Sequence, residues 1–305
     1  MRNILHMMLG MVCISASLVL ADNKPQAADQ VYLRFEEKKK GAALEVGVIT
    51  MRHKVTGATV DLVGAVHIGD QAYYERLNRE FKAYDAVLYE MVKPADLKPA
   101  DFKGRPKSGV SMMQTFMQRQ LDLAYQLDVI DYSAKNFVHA DMTVKQFAER
   151  QRERGESMFK LMLRMMREDM ARRKQRGGAA DISTAELLRA LFSPTRSVEL
   201  KYLLARQFNE MERLTAGLND EEGSVILTDR NQVALKVLEK QLAAKQKKLA
   251  IFYGAAHLPD LEERMIKDMG FERKTTRWLT AWSLPERVKP KPQGETSPSP
   301  PDSKQ

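Results

Sequence analysis

Two short segments of the chain have the residue types and spacing for chemistry: Gly64-Ala65-Val66-His67 and Gly254-Ala255-Ala256-His257. Each closes a hydrophobic run, residues 60–66 and 249–253, and each precedes helical periodicity. Imidazole changes charge near neutral pH and ligates metals, so a placed His is a candidate for either task. A Gly three residues earlier lets the backbone turn tightly. The His then stands at the carboxyl end of a buried strand, where open α/β sheets bind their ligands. A third group, Glu90, ends the apolar run Leu88-Tyr89-Glu90-Met91. Strand alternation puts it on the face of Leu88, and a carboxylate there is costly to bury unless paired or metal-bound. The expectation is that both turns face one cleft, with Glu90 beside His67.

Such a set could work in two ways. His67, His257 and Glu90 form a common donor set for a divalent metal; Zn, Mn, Co or Fe would suit it. A bound metal would lower the pKa of water and polarise a carbonyl. Without metal, His67 could act as general base with Glu90 orienting it. Neither route needs a Ser or Cys nucleophile. The plain alternative is two well-packed turn histidines and an edge glutamate facing water. Asp229-Arg230-Asn231 opens a further helical stretch. An Asp there caps amides and suits the helix dipole. Arg230 opposes the dipole, which points to a role in holding an acid or a carboxylate-bearing substrate. His139 and Asp141 lie within reach of the cleft, but are read as a half-buried His and a helix-capping Asp.

The elements that would position these residues follow from periodicity. Residues 43–51 and 58–66 are apolar and β-branched, with His53, Lys54, Thr56 and Gly57 between them as a tight loop. Tyr73, Leu77 and Phe81 recur every four residues, one face of a helix over 70–82. Residues 86–91 form the next strand and complete a βαβ unit. Residues 249–253, the His257 turn, a helix over 260–269 and a strand over 276–282 repeat the order. The stretch between is helical in character. It includes periodicity over 111–127, a Met-rich run with Met158, Met162, Met165, Met166 and Met170, a capping box at Ser183-Thr184-Ala185-Glu186, and a helix from Ser193-Pro194 to about residue 214. The expected fold class is α/β: two βαβ halves forming a central mixed or parallel sheet, with a large all-helical insertion over about 111–225. The Pro- and Gly-broken residues 93–110, directly after Glu90, are read as a substrate lid or a plain solvent loop.

Composition bounds the rest. The 305 residues are 44% hydrophobic, enough for a sizeable core over 31–284, and only 7% aromatic. Arg2 followed by an apolar stretch to Leu20, with Ala21 at a cleavage point, reads as a signal peptide over 1–21; an uncleaved N-terminal anchor is the alternative. Residues 22–30 are then a linker. Cleavage would remove Cys13, the chain's one Cys, and with it any disulfide or thiolate chemistry. The expected location is the periplasm or the exterior, with no stable membrane insertion after cleavage. The net charge of +9 is spread among acids and accompanies no nucleic-acid motif, so nucleic acid is not the expected partner. The Pro-rich residues 285–305 read as a disordered tail.

The paired Gly-x-x-His turns, the Tyr89-Glu90 strand end and Asp229-Arg230-Asn231 together resemble the TraB/GumN/Tiki family, related to ChaN-like and erythromycin-esterase-like proteins. The likeness runs over about 46–282. It implies an α/β core of paired βαβ units and a divalent metal-dependent peptidase activity in the Tiki branch, with Mn, Co or Zn as the metal. Carried over by position, His67, His257 and Glu90 match the motif histidines and acid, and Arg230, accompanied by Asn231, matches the arginine. The implied protein is an exported metal-dependent hydrolase of a peptide or small molecule. The alternatives are a peptide- or haem-binding protein without catalysis, and a metal-free esterase or amidase using His67 and Glu90.

Overall fold

The computed structural model describes residues 31–98, 121–156, 184–215 and 223–287. The signal-peptide, linker and Met-rich segments of the sequence reading lie outside these residues, as do residues 288–305 of the tail, most of the loop over 93–110 and residues 111–120; Ala124–Tyr125, read as the end of a helix over 111–127, instead form a short strand paired with Ile68–Gly69.

β1 (Leu33–Glu37) and β2 (Ala42–His53) open the fold, followed by β3 (Thr59–Ala65), α1 (Gln71–Phe81), β4 (Ala86–Tyr89) and β5 (Phe137–His139). Then come α2 (Val144–Glu153), α3 (Thr184–Phe192), α4 (Arg196–Thr215), α5 (Arg230–Ala243), β6 (Lys248–Gly254), α6 (Leu258–Asp268) and β7 (Phe271–Leu284). The fold is mixed α/β around one central sheet of parallel and antiparallel strands. β3, β6, β4 and β5 lie side by side in that order and run parallel. β2 joins β3 antiparallel, and β7 pairs antiparallel with β2 along its whole length. β1 takes the first half of the opposite edge of β2, and β3 the second half.

Both halves have the order strand, turn, helix, strand, but neither pairs its own two strands. β6 lies between β3 and β4, and β2 and β3 lie between β6 and β7. This interleaving sets the ends of β3, β6 and β4 next to one another. The segment between the halves is helical over α2, α3 and α4, but it also contains β5, so residues 111–225 are not wholly helical. β1 was not expected: its Leu33-Arg34-Phe35-Glu36-Glu37 sequence is short and charged, and it exists because β2 offers it an edge.

Helices cover both faces. α1 buries Tyr73, Tyr74, Leu77 and Phe81 against Val63, Val87 and Phe252, and α4 adds Tyr202 and Ala205 to the same layer. On the opposite face α5 and α6 set Leu235, Leu238, Leu258, Leu261 and Met265 on Leu62, Leu88, Ile251 and Tyr253. Each such side chain contributes about 1.5–3 kcal/mol by leaving water. β6 is buried on both faces from Leu249 to Tyr253, which explains its unbroken apolar run. Among the described residues no helix is long and apolar enough to cross a membrane.

Candidate functional site

Glu90 follows β4 and turns to the α5 side. Its backbone N–H donates to the Phe252 carbonyl at 3.1 Å, which continues the β4–β6 pairing. Its Oε2 accepts the Gly254 N–H at 2.6 Å, and its Oε1 accepts Arg230 Nη2 at 2.6 Å. The side chain is 15% exposed. Burial opposes its charge, but His257, Arg230 and His67 outweigh that and hold the carboxyl well below the ordinary range. Neither motif Gly adopts a left-handed φ. Their role is close approach, not the tight turn expected from sequence. A Cβ at Gly254 would stand 3.3 Å from Glu90 Oε2, and one at Gly64 would stand 3.2 Å from the Gly47 carbonyl of β2.

Arg230 is buried at the start of α5. Its Nε and Nη2 grip Asp141 at 3.0 and 2.6 Å, and Nη2 also reaches Glu90. One guanidinium therefore joins two carboxylates, and Asp141 is fully enclosed. Burial pushes the guanidinium pKa down, and Asp141 and Glu90 more than restore it. This corrects the reading of Asp141 as a cap: Thr143 caps α2, in a capping box with Gln146. Asp229 is no cap either. Its side chain makes no capping hydrogen bond and instead takes Arg154 Nε at 2.9 Å and Nη2 at 2.7 Å. The reason is local geometry: a π-helical turn, Val225–Asp229, runs straight into α5. No free helix end is left at Asp229, and Arg230 is swung inward.

His257 sits in a 3-10 turn, Ala255–His257, that leads directly into α6. Its ring is buried and packs edge-on against Tyr253. Nδ1 is 2.7 Å from Asn231 Oδ1, and Nε2 is 3.5 Å from Glu90 Oε1. Asn231 Nδ2 donates to the His257 carbonyl at 3.2 Å and to Asp260 Oδ2 at 2.8 Å. Asp260 is steadied by Arg264 Nε, 2.9 Å from both carboxylate oxygens.

The first turn is built in another way. Tyr73 OH donates to the Gly64 carbonyl, Tyr74 OH to that of Val66, the Gln126 N–H to that of His67, and Trp282 Nε1 to that of Ile68. The backbone is pinned at four carbonyls, yet the His67 side chain is exposed and hydrogen-bonds to neither Glu90 nor His257. Its charge reaches Glu90 through space. His139 stays out of the cleft, with Nε2 2.7 Å from the Met91 carbonyl.

The structure thus brings Glu90, Arg230 and His257 together and sets His67 on their rim. Asp141 and Asp260 complete the cluster and were missed as functional residues. Asp260 carried a signal, since it lies three positions after His257 on one helix face. The 3.5 Å between Glu90 Oε1 and His257 Nε2 suits two ligands of one ion, about 3.4 Å for tetrahedral bonds of ~2.1 Å. The remaining geometry does not suit an ion. Arg230 already sets a positive charge on that same oxygen, and the other oxygen is taken by an amide. Among the described residues no group of three or more His, Cys, Asp or Glu is placed to hold a metal ion. Comparison with family models, with curated proteins and with solved structures finds no match.

Proposed function

We propose that this chain is an exported hydrolase of TraB/GumN/Tiki type that cleaves a peptide or another small amide or ester. His257 transfers the proton, and the ionised Glu90 carboxylate beside it stabilises the imidazolium. Arg230 fixes Glu90 and keeps it ionised, and His67 meets substrate at the rim. The observation that carries the reading is the Glu90 carboxylate, held between a guanidinium, a backbone N–H and an imidazole nitrogen 3.5 Å away. An imidazole beside an ionised carboxylate at strand ends can relay a proton from water to a leaving group. Because Arg230 supplies the cation at Glu90, the reaction is written without a metal.

The test is turnover of a peptide pool and of chromogenic amides and esters by the purified chain, with and without chelator. Glu90→Gln should lose about 10²- to 10⁴-fold in kcat, and chelation should leave the wild type active. Full activity in Glu90→Gln would overturn the reading. Activity abolished by chelator and restored by Mn, Co or Zn would return the site to the metal-dependent class that the resemblance implies.

A further inference from the structure

His257 is held at both ring nitrogens by groups of different character, and the donors and acceptors around it fix where its proton sits. Asn231 Nδ2 faces the His257 carbonyl and the Asp260 carboxylate, which only accept hydrogen bonds. Turning the Asn231 amide over would press its oxygen against both of them. Its orientation is therefore set by chemistry: Oδ1 must face His257 Nδ1, and at 2.7 Å that nitrogen must donate. Asp260 cannot turn to relieve this, because Arg264 holds both its oxygens. The chain Arg264–Asp260–Asn231–His257 leaves one nitrogen free to change state, and that nitrogen faces Glu90.

We propose that Asp260 and Asn231 are positioning residues that lock His257 as its Nδ1–H tautomer, so that Nε2 alone gains and loses the proton beside Glu90. This deepens the hydrolase reading and rests on it for its catalytic meaning. Unaided imidazole prefers the opposite tautomer, so the lock serves the relay: an Nε2–H ring would have no base to offer on the Glu90 side. Arg230 lies beyond Glu90 and His67 at the rim, and neither contacts Nδ1.

The test is nitrogen NMR of the full chain labelled in histidine, with His257 assigned by comparison with His257→Ala. The pH is raised until the ring is neutral. Nδ1 is expected to keep its proton and Nε2 to become the bare nitrogen. A bare Nδ1 in the wild type would overturn the proposal. In Asn231→Leu the Nδ1–H signal should give way to Nε2–H, and Asp260→Asn, a milder change, should give a mixture of tautomers. A wild-type pattern in Asp260→Asn would overturn the role of Asp260 even where Asn231→Leu does not fold. The readout does not depend on turnover. An inactive protein with Nδ1–H intact refutes the hydrolase and spares the lock; an active one with bare Nδ1 does the reverse.

Discussion

The two Gly-x-x-His turns are near copies in sequence and opposites in construction. At the first, four backbone carbonyls are tied down and the imidazole is left exposed. At the second, the imidazole is tied at Nδ1, set edge-on to Tyr253 and buried against Glu90, while the backbone runs on into α6. The motif fixes where a histidine enters the cleft. What it does there depends on residues outside the motif: Tyr73, Tyr74 and Trp282 for one turn, Asn231 and Asp260 for the other. A side chain held by a buried network is expected to carry stability as well as chemistry, and a side chain at a rigid rim to carry chemistry alone.

The largest expected effect tests the buried side. Arg230→Met leaves Asp141 and Glu90 enclosed without their cation, which should cost about 3–5 kcal/mol in urea denaturation. It should also reverse the acid response. In the wild type Glu90 binds its proton less readily when folded. Its contribution is therefore present above the unfolded pKa of about 4.3 and is lost as pH falls through its depressed folded value. Without Arg230 burial should dominate at Glu90 and raise its folded pKa, so that stability rises as pH is lowered. An unchanged slope would mean that Arg230 is not what holds Glu90 ionised. Next, His257→Ala leaves Asn231 Oδ1 without its donor and should cost about 1–3 kcal/mol, read from the same denaturation curves. Smaller again is the acid slope itself: Glu90→Gln should flatten the loss of stability below about pH 4. Smallest is His67→Ala, within about 0.5 kcal/mol of wild type, while turnover falls sharply. Equal destabilisation at both histidines would erase the contrast between the turns.

Most of the sheet was legible because buried strands write themselves as apolar runs: β2, β3, β4 and β6 were found within a residue or two. β1 was not, since it is five residues long, partly charged, and exists only through the edge that β2 offers it. Glu90, Arg230, His67 and His257 were legible as odd residues, a charge in an apolar strand or a cation at a helix start. The partners that give them their states were not. Asp141 looked like a cap because capping is what an Asp before a helix does when nothing else claims it, and no local pattern announces a guanidinium eighty-nine residues later. The π-helical turn ahead of α5 left no mark in the periodicity at all.

The long strand β2 draws together the two ends of the described chain, since its whole second edge waits for β7, the last of the described strands. Until residues 271–284 leave the ribosome, twelve residues of backbone donors and acceptors stay open to any passing strand. Completion of the described sheet is therefore its most vulnerable step. Chains shortened before β7 should be recovered as insoluble material, whatever the state of the cleft they already encode.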